Sequence, residues 1–130
     1  MDDGHVKRII STDDAPAAVG AYSQGATTDE LVFTAGQLPF TADGDSLADE
    51  SIATQTEQSL ANIEAVLAEE GLDMDDVVKT TIFLADIDDF DEMNEAYGDV
   101  FDDEPPARSA FAVGDLPKGI GVEIEAIASQ

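Results

Sequence analysis

The sequence predicts an α+β fold, a mixed β-sheet with two helices packed on one face. Three observations carry this. The elements read in the order strands, helix, strand, helix, strand, strand. Two stretches repeat apolar residues at helical spacing, which gives each helix one face to bury. The stretch "VVKTTIFLA", residues 77–85, is β-branched and apolar on both faces, as a central strand is.

"HVKRIIS" (5–11) supplies β-branched residues for a first strand, and "TDDAPAAVGAYSQGA" after it reads as a loop. "ELVFTAGQ" is a short strand ending at Gly36, followed by a polar loop with a turn near Asp43 and Gly44. The first helix is predicted from about Ser51 to Glu70, with Leu60, Ile63, Val66 and Leu67 inward and Ile52 a possible addition. Gly71 follows as the residue that tolerates positive φ at a helix end. The second helix begins in "DIDDFDEMNEAYGDVF", with Asp88 or Asp89 as N-cap and Phe90, Met93, Tyr97 and Phe101 inward. "SAFAV" and "VEIEAIA" are the last strands. The link from Gly114 to Gly121 is longer than a tight hairpin needs, so their pairing is not assumed. With Phe111 and Ile124 placed toward the helices, the opposite face carries small residues, Ile127, Arg108, Glu123 and Glu125. Such a mixed face suits a subunit interface with a site in it.

The 130 residues fit one domain, 1–130. They include 30 acidic and 5 basic residues, for a formal net charge of −25. A surface of that sign repels phosphate, which argues against nucleic acid and anionic membrane as partners. The acids are spread along the chain, and self-repulsion would weaken the fold in dilute buffer. Molar salt shortens the Debye length to roughly 3 Å, so the composition points to a high-salt, halophilic cytoplasm. The opening "MDDGHVKRII" has no apolar core, so no signal peptide is expected, and a soluble cytoplasmic protein is.

There is no cysteine, and His5 is the sole histidine. Thiolate sites, histidine zinc sites and Ser-His-Asp catalysis at Ser23 or Ser109 are therefore not expected. "DIDDFDE" lacks the glycine and terminal glutamate of a calcium loop. "GIG" (119–121) is too short for a dinucleotide fingerprint.

Three residues remain as candidates. Arg108 follows Pro105 and Pro106, which restrict the approach to its strand. By spacing alone it reads either as a surface pair with Asp102, Asp103 or Glu104, or as a planar clamp for a carboxylate. Glu123 interrupts an apolar strand, either as a solvent-facing position or as a half-buried carboxylate that positions water. Tyr22 is either a loop anchor or a phenol lining a pocket.

"PARSAFAVGDLPKGIGVEI" (106–124) resembles the C-terminal signature of the reactive intermediate deaminase family, RidA or YjgF-type. "APAAVGAYSQG" resembles its N-terminal motif and "FTAGQLPF" its strand end. "QSLANIEAVLAEEGLDMDDVVKTTIFLADIDDF" resembles its central helix and strand. The resemblance implies a chorismate mutase-like, YjgF-like fold and a homotrimer with clefts between subunits. It implies hydrolysis of amino-acid-derived enamines and imines, such as 2-aminoacrylate and 2-iminopropionate, to 2-keto acids and ammonia. No metal or organic cofactor is needed. On this reading Arg108 grips the substrate carboxylate and Glu123 holds the attacking water. Tyr22, the backbone of Gly36 and Asn94 complete the pocket. Three positions depart from the family pattern: Ala21 stands for proline, Ala35 for serine and Ala110 for cysteine. Competing expectations are a non-enzymatic 2-keto acid or carboxylate binder, and a ribonuclease or translation inhibitor. The net charge and missing histidine pair oppose the ribonuclease reading. Chorismate mutase-like chemistry would need more cations than this chain has.

Overall fold

In the computed structural model, which describes residues 6–130, the strands are β1 (Arg8–Ile10), β2 (Gly25–Thr27), β3 (Leu31–Thr34), β4 (Val77–Leu84), β5 (Ala107–Ala112) and β6 (Val122–Ser129). The helices are α1 (Ile52–Ala68) and α2 (Phe90–Val100). The expected first strand is present from Arg8; His5 lies outside the described residues. The expected loop before β3 in fact contains β2. This three-residue strand has little apolar pattern, and its pairing with β1 and β3 defines it.

The sheet runs β1-β2-β3-β6-β4-β5. All neighbours are antiparallel except β4 and β5, whose parallel pairing is made possible by the crossover through α2. The last two strands do not pair. β6 instead lies between β3 and β4, paired antiparallel to both. β4 is thus an interior strand, as its two apolar faces predict.

Alternation in β6 sets the two faces. Val122, Ile124, Ala126 and Ala128 are buried toward the helices, while Glu123, Glu125 and Ile127 point the other way. Val32, Ile82 and Leu84 join the helix-side core with Leu60, Ile63, Val66 and Leu67 of α1 and Met93 and Tyr97 of α2. Ile52 and Phe90 pack against this core while partly buried.

α1 begins where Ser51 accepts a hydrogen bond from the Thr54 N–H. It closes with Gly71 at φ 73°, where Leu72 N–H donates to Leu67 C=O and Gly71 N–H to Ala68 C=O. That pair of bonds is the Schellman pattern, and it explains the glycine. The start of α2 differs from expectation. Asp89 sits at its N-cap but makes no side-chain cap bond. A 3₁₀ turn (Ile87–Asp89) precedes the helix, and Asp86 caps that turn through the Asp88 N–H.

Three buried amides pin the loops to this frame. Gln24 accepts from Thr12 N–H at 2.7 Å and donates to the carbonyls of Thr12 and Pro16 at 3.0 and 2.8 Å. Asn62 donates to the carbonyls of Leu38 and Phe40, and Gln55 accepts from Gly121 N–H at 2.9 Å. No helix is long and apolar enough to cross a membrane among the described residues.

Candidate active site

Arg108 lies on β5 opposite Thr80 of β4. Thr80 is buried on the helix side and shares a 2.7 Å hydrogen bond with the Tyr97 hydroxyl. Arg108 therefore projects toward α2. Its guanidinium stacks over the Tyr97 ring at 4.9 Å and near the Phe90 ring at 5.5 Å. Its Nη1 donates to Asn94 Oδ1 at 2.6 Å. The surface pair with Asp102, Asp103 or Glu104 is not formed; among the described residues the one salt bridge joins Arg8 and Glu70. A neutral amide and two aromatic faces orient the cation without neutralising it. The hollow beside it is about 420 Å³ in volume and includes Asn94, Tyr97, Phe101, Pro105 and Pro106 in its lining.

Glu123 lies on the other face of the sheet. It sits opposite Phe83 of β4, and Phe83 in turn packs edge-to-face on Phe111 with ring centroids 5.5 Å apart. Phe111 is 46% exposed on this open face, and Ala110 is the β5 residue packed against the helix-side core. The face assignment made from sequence is thereby corrected. Tyr97 and Phe101 already fill the space under β5, so the small Ala110 turns inward and the large Phe111 outward. Arg108 shares Ala110's parity and faces the helices; it does not share a face with Glu123.

The Glu123 carboxylate is half-buried. Burial raises its pKa above the ordinary carboxylate value, and repulsion from Glu125 adds to the rise. A Cβ at Gly36 would meet the Glu123 carboxylate, which would have to swing aside to admit it. This close approach, not a left-handed turn, accounts for the glycine. Gln37 N–H donates to Ile124 C=O at 2.7 Å, which ties the Gly36 segment to β6. Gly36 also lines a cleft of about 370 Å³ with Tyr22, Pro16, Val19, Leu38, Phe40 and Lys118 among its walls. The Tyr22 hydroxyl accepts a 3.3 Å bond from Val19 N–H, so Tyr22 both anchors the loop and lines the cleft.

The candidate residues thus fall into two groups. Arg108 and Asn94 form one, and Glu123, Gly36 and Tyr22 form the other. They lie on opposite faces, on strands separated by β4. The sequence did not single out Phe90 and Tyr97 as supports of the guanidinium, because both read as ordinary core positions. Lys118 was also passed over. Its only local signal was a lysine between proline and glycine.

A mixed six-stranded sheet with two helices defines an α+β protein of YjgF-like structure. Residues 12–130 match the family described as Endoribonuclease L-PSP. The chain is 43% identical over 125 residues to the rat 2-iminobutanoate/2-iminopropanoate deaminase, covering 96% of this chain and 91% of that one. It is 48% identical over 121 residues to a Lactococcus lactis protein called "Putative regulator AldR", with 93% and 96% covered. The crystal structure of the E. coli YjgF gene product superposes with a TM-score of 0.89 at 39% identity, covering 95% of this chain and 98% of that chain. E. coli TdcF with bound serine gives the same TM-score at 38% identity and the same coverage. The chain belongs to the RidA/YjgF/L-PSP family.

Proposed function

We propose that this protein, as a single domain over residues 1–130, is a 2-iminobutanoate/2-iminopropanoate deaminase-type hydrolase of amino-acid-derived enamines and imines. The observation that carries the reading is the Arg108 guanidinium, held by Asn94 Oδ1 and two aromatic rings with no carboxylate upon it among the described residues. The deaminase relatives, at 42–45% identity for the rat, human and bovine proteins, supply the chemistry.

A cleft between copies completes the site. Arg108 and Asn94 of one copy face Glu123, Gly36 and Tyr22 of the next, in a homotrimer in which the β5 edge and α2 of each copy meet the open sheet face of its neighbour. Arg108 binds the substrate carboxylate through two parallel hydrogen bonds. Glu123 accepts a hydrogen bond from water and directs its oxygen to the iminium carbon. As the C–O bond forms, a water proton passes to Glu123 and the C=N π-electrons move to nitrogen. Glu123 then returns that proton to the carbinolamine nitrogen, the C–N bond breaks as the hydroxyl oxygen's electrons form C=O, and the hydroxyl proton passes to the departing ammonia, which leaves as ammonium. The balance is iminium plus water to 2-keto acid plus ammonium. An enamine enters after protonation at carbon. Because the iminium carbon is already electrophilic, orientation is the main requirement, and it can supply roughly 7–11 kcal/mol at most. The raised pKa of Glu123 brings its basicity nearer to the working pH.

The name of the Lactococcus relative favours one second reading, a 2-keto acid or carboxylate sensor using the same cleft. Saturable binding of 2-oxobutanoate without imine turnover would select it. Ribonuclease action is not taken up, since a net charge of −25 opposes RNA binding.

The test uses 2-iminopropanoate generated in place by an amino-acid oxidase, in buffered KCl. Arg108→Ala should reduce hydrolysis to background, and retained activity would defeat the proposal. Chains carrying Arg108→Ala and chains carrying Glu123→Gln should each be inactive alone. Refolded together they should regain activity, because mixed copies rebuild some intact clefts. No recovery, with mixed oligomers verified, would place both residues' action within one chain.

A further inference from the structure

Few cations are present in this chain, and their partners differ in kind. Arg8 pairs with Glu70, and Lys79 donates to Ser109 Oγ at 2.8 Å. Arg108 rests on Asn94 and two aromatic rings. Lys118 has no carboxylate partner among the described residues, although Asp43 lines the same cleft. Its ammonium lies 5.6 Å from the centre of the Phe40 ring.

The backbone at Lys118 is unusual. It holds φ 57° and ψ 30° between Pro117 and Gly119, a left-handed conformation that costs a side-chain-bearing residue about 1 kcal/mol or more. Ile120 N–H closes the turn onto Pro117 C=O at 3.2 Å, just before β6 delivers Glu123. The turn therefore sets Lys118 in the wall of the cleft that Tyr22 and Gly36 also line, and Gly36 in turn lies against the Glu123 carboxylate. The remaining wall includes Pro16, Ala17, Val19, Leu38, Phe40 and Ala42. A mostly apolar cleft whose wall carries Lys118 as its one cation, with Asp43, Gln24 and Gln37 as its other polar side chains beside Tyr22, has the chemistry of a pocket for methylenes that end in an anion.

We propose that Lys118 is a specificity-determining residue that receives a second, distal carboxylate, so that the cleft takes imines of dicarboxylic amino acids. The proposal rests on the deaminase reading. The α-carboxylate lies on Arg108 of the adjoining copy and the imine carbon near Glu123. The side chain then runs along Leu38 and Phe40 to the Lys118 ammonium. The distal carboxylate takes no part in bond making; water still adds to the imine carbon and ammonium still leaves. In a chain of net charge −25 a dianionic substrate meets general repulsion, so a local cation on the cleft wall is needed to hold it.

The experiment compares imines generated from L-glutamate and L-alanine, at the lowest KCl concentration at which sedimentation shows the copies still assembled. The readout is the ratio of kcat/KM for the dicarboxylic imine to that for the small one. Lys118→Met should lower this ratio by about fivefold, the size of a partly exposed ion pair, and Lys118→Glu should lower it further. An unchanged ratio in both variants would overturn the proposal. If the wild-type protein turns over neither imine, the deaminase reading fails. The Kd ratio of 2-oxoglutarate to 2-oxobutanoate by calorimetry then decides on Lys118 separately. A ratio that Lys118→Met leaves unmoved would overturn it there too.

Discussion

The two groups of candidate residues are built on opposite electrostatic plans. Arg108 is exposed on an edge strand, and neutral groups hold it: Asn94 Oδ1 and the faces of Tyr97 and Phe90. Glu123 is half-buried on an interior strand, with Gly36 closed down upon it and Glu125 as its charged neighbour. The cation is left accessible and fully charged, which suits capture of an anion. The carboxylate is made a stronger base by withdrawal from water, which suits proton transfer. Had the two been neighbours in one chain they would have paired, lowering the Glu123 pKa and filling the guanidinium fork. Separation across the sheet avoids this, and under the proposed function a ligand would bring them into use together.

The largest effect after loss of Arg108 belongs to Glu123. Glu123→Gln should lower kcat for imine hydrolysis by about 10²-fold or more, the usual weight of a positioned proton acceptor. Wild-type activity should fall as pH drops through the raised pKa of this group, since only the carboxylate can take the proton. The variant should lack that limb of the pH profile. Stability moves the opposite way. A carboxyl whose folded pKa is raised favours the fold most when protonated, below its unfolded pKa, and that contribution is lost as pH rises through the folded value. Glu123→Gln should therefore raise Tm at neutral pH relative to wild type. A lower Tm with unchanged kcat would reverse the roles assigned to the two halves.

Gly36→Ala comes next. The added methyl collides with the Glu123 carboxylate and nothing else is needed to displace it. A displacement on the order of 1 Å can cost about 10²-fold in rate. Only the end of a flexible side chain must give way, so the cost in stability should be small. Since Gly36 is not in the left-handed region, the methyl itself brings no backbone penalty. Combining Gly36→Ala with Glu123→Gln should cost little more than Glu123→Gln alone. Additive losses would mean that Gly36 serves the ligand directly.

Much of this arrangement was legible in the sequence, and the misreadings have physical causes. α1 was readable at both ends because Ser51 and Gly71 carry specific cap chemistry. The parity of β6 was readable because Val122, Ile124 and Ala126 alternate with two glutamates. The parity of β5 was not. In "ARSAFAV" the bulkiest residue seemed the natural core residue, yet the room beneath an edge strand depends on what α2 already fills. That choice placed Arg108 on the wrong face. β2 escaped notice because Gly25, Ala26 and Thr27 acquire strand character from their neighbours in the sheet. Lys118 escaped because a left-handed lysine has no pattern of its own.

The smallest expected effect tests whether the halves meet only between copies. The exposed acids Glu57, Glu64, Asp91, Glu92, Glu95 and Asp99 lie on the helix layer. On the open sheet face, β6 contributes Glu123 and Glu125, beside exposed Phe33 and Phe111. In the proposed trimer, copies joined through the sheet face would therefore keep most like charges on the outside. Each copy still carries a net charge of −25, and at 0.01 M salt the Debye length is about 30 Å, so copies repel across the whole molecule. At 1 M it is about 3 Å, and contact forces prevail. Activity per chain should fall a few-fold on dilution at low KCl, while far-UV circular dichroism keeps its folded signal. Sedimentation should show smaller species over the same range, and molar KCl should restore both. Activity indifferent to dilution and salt, with dissociation seen in the centrifuge, would mean that one chain holds a working site, and the division between its two faces would lose its meaning.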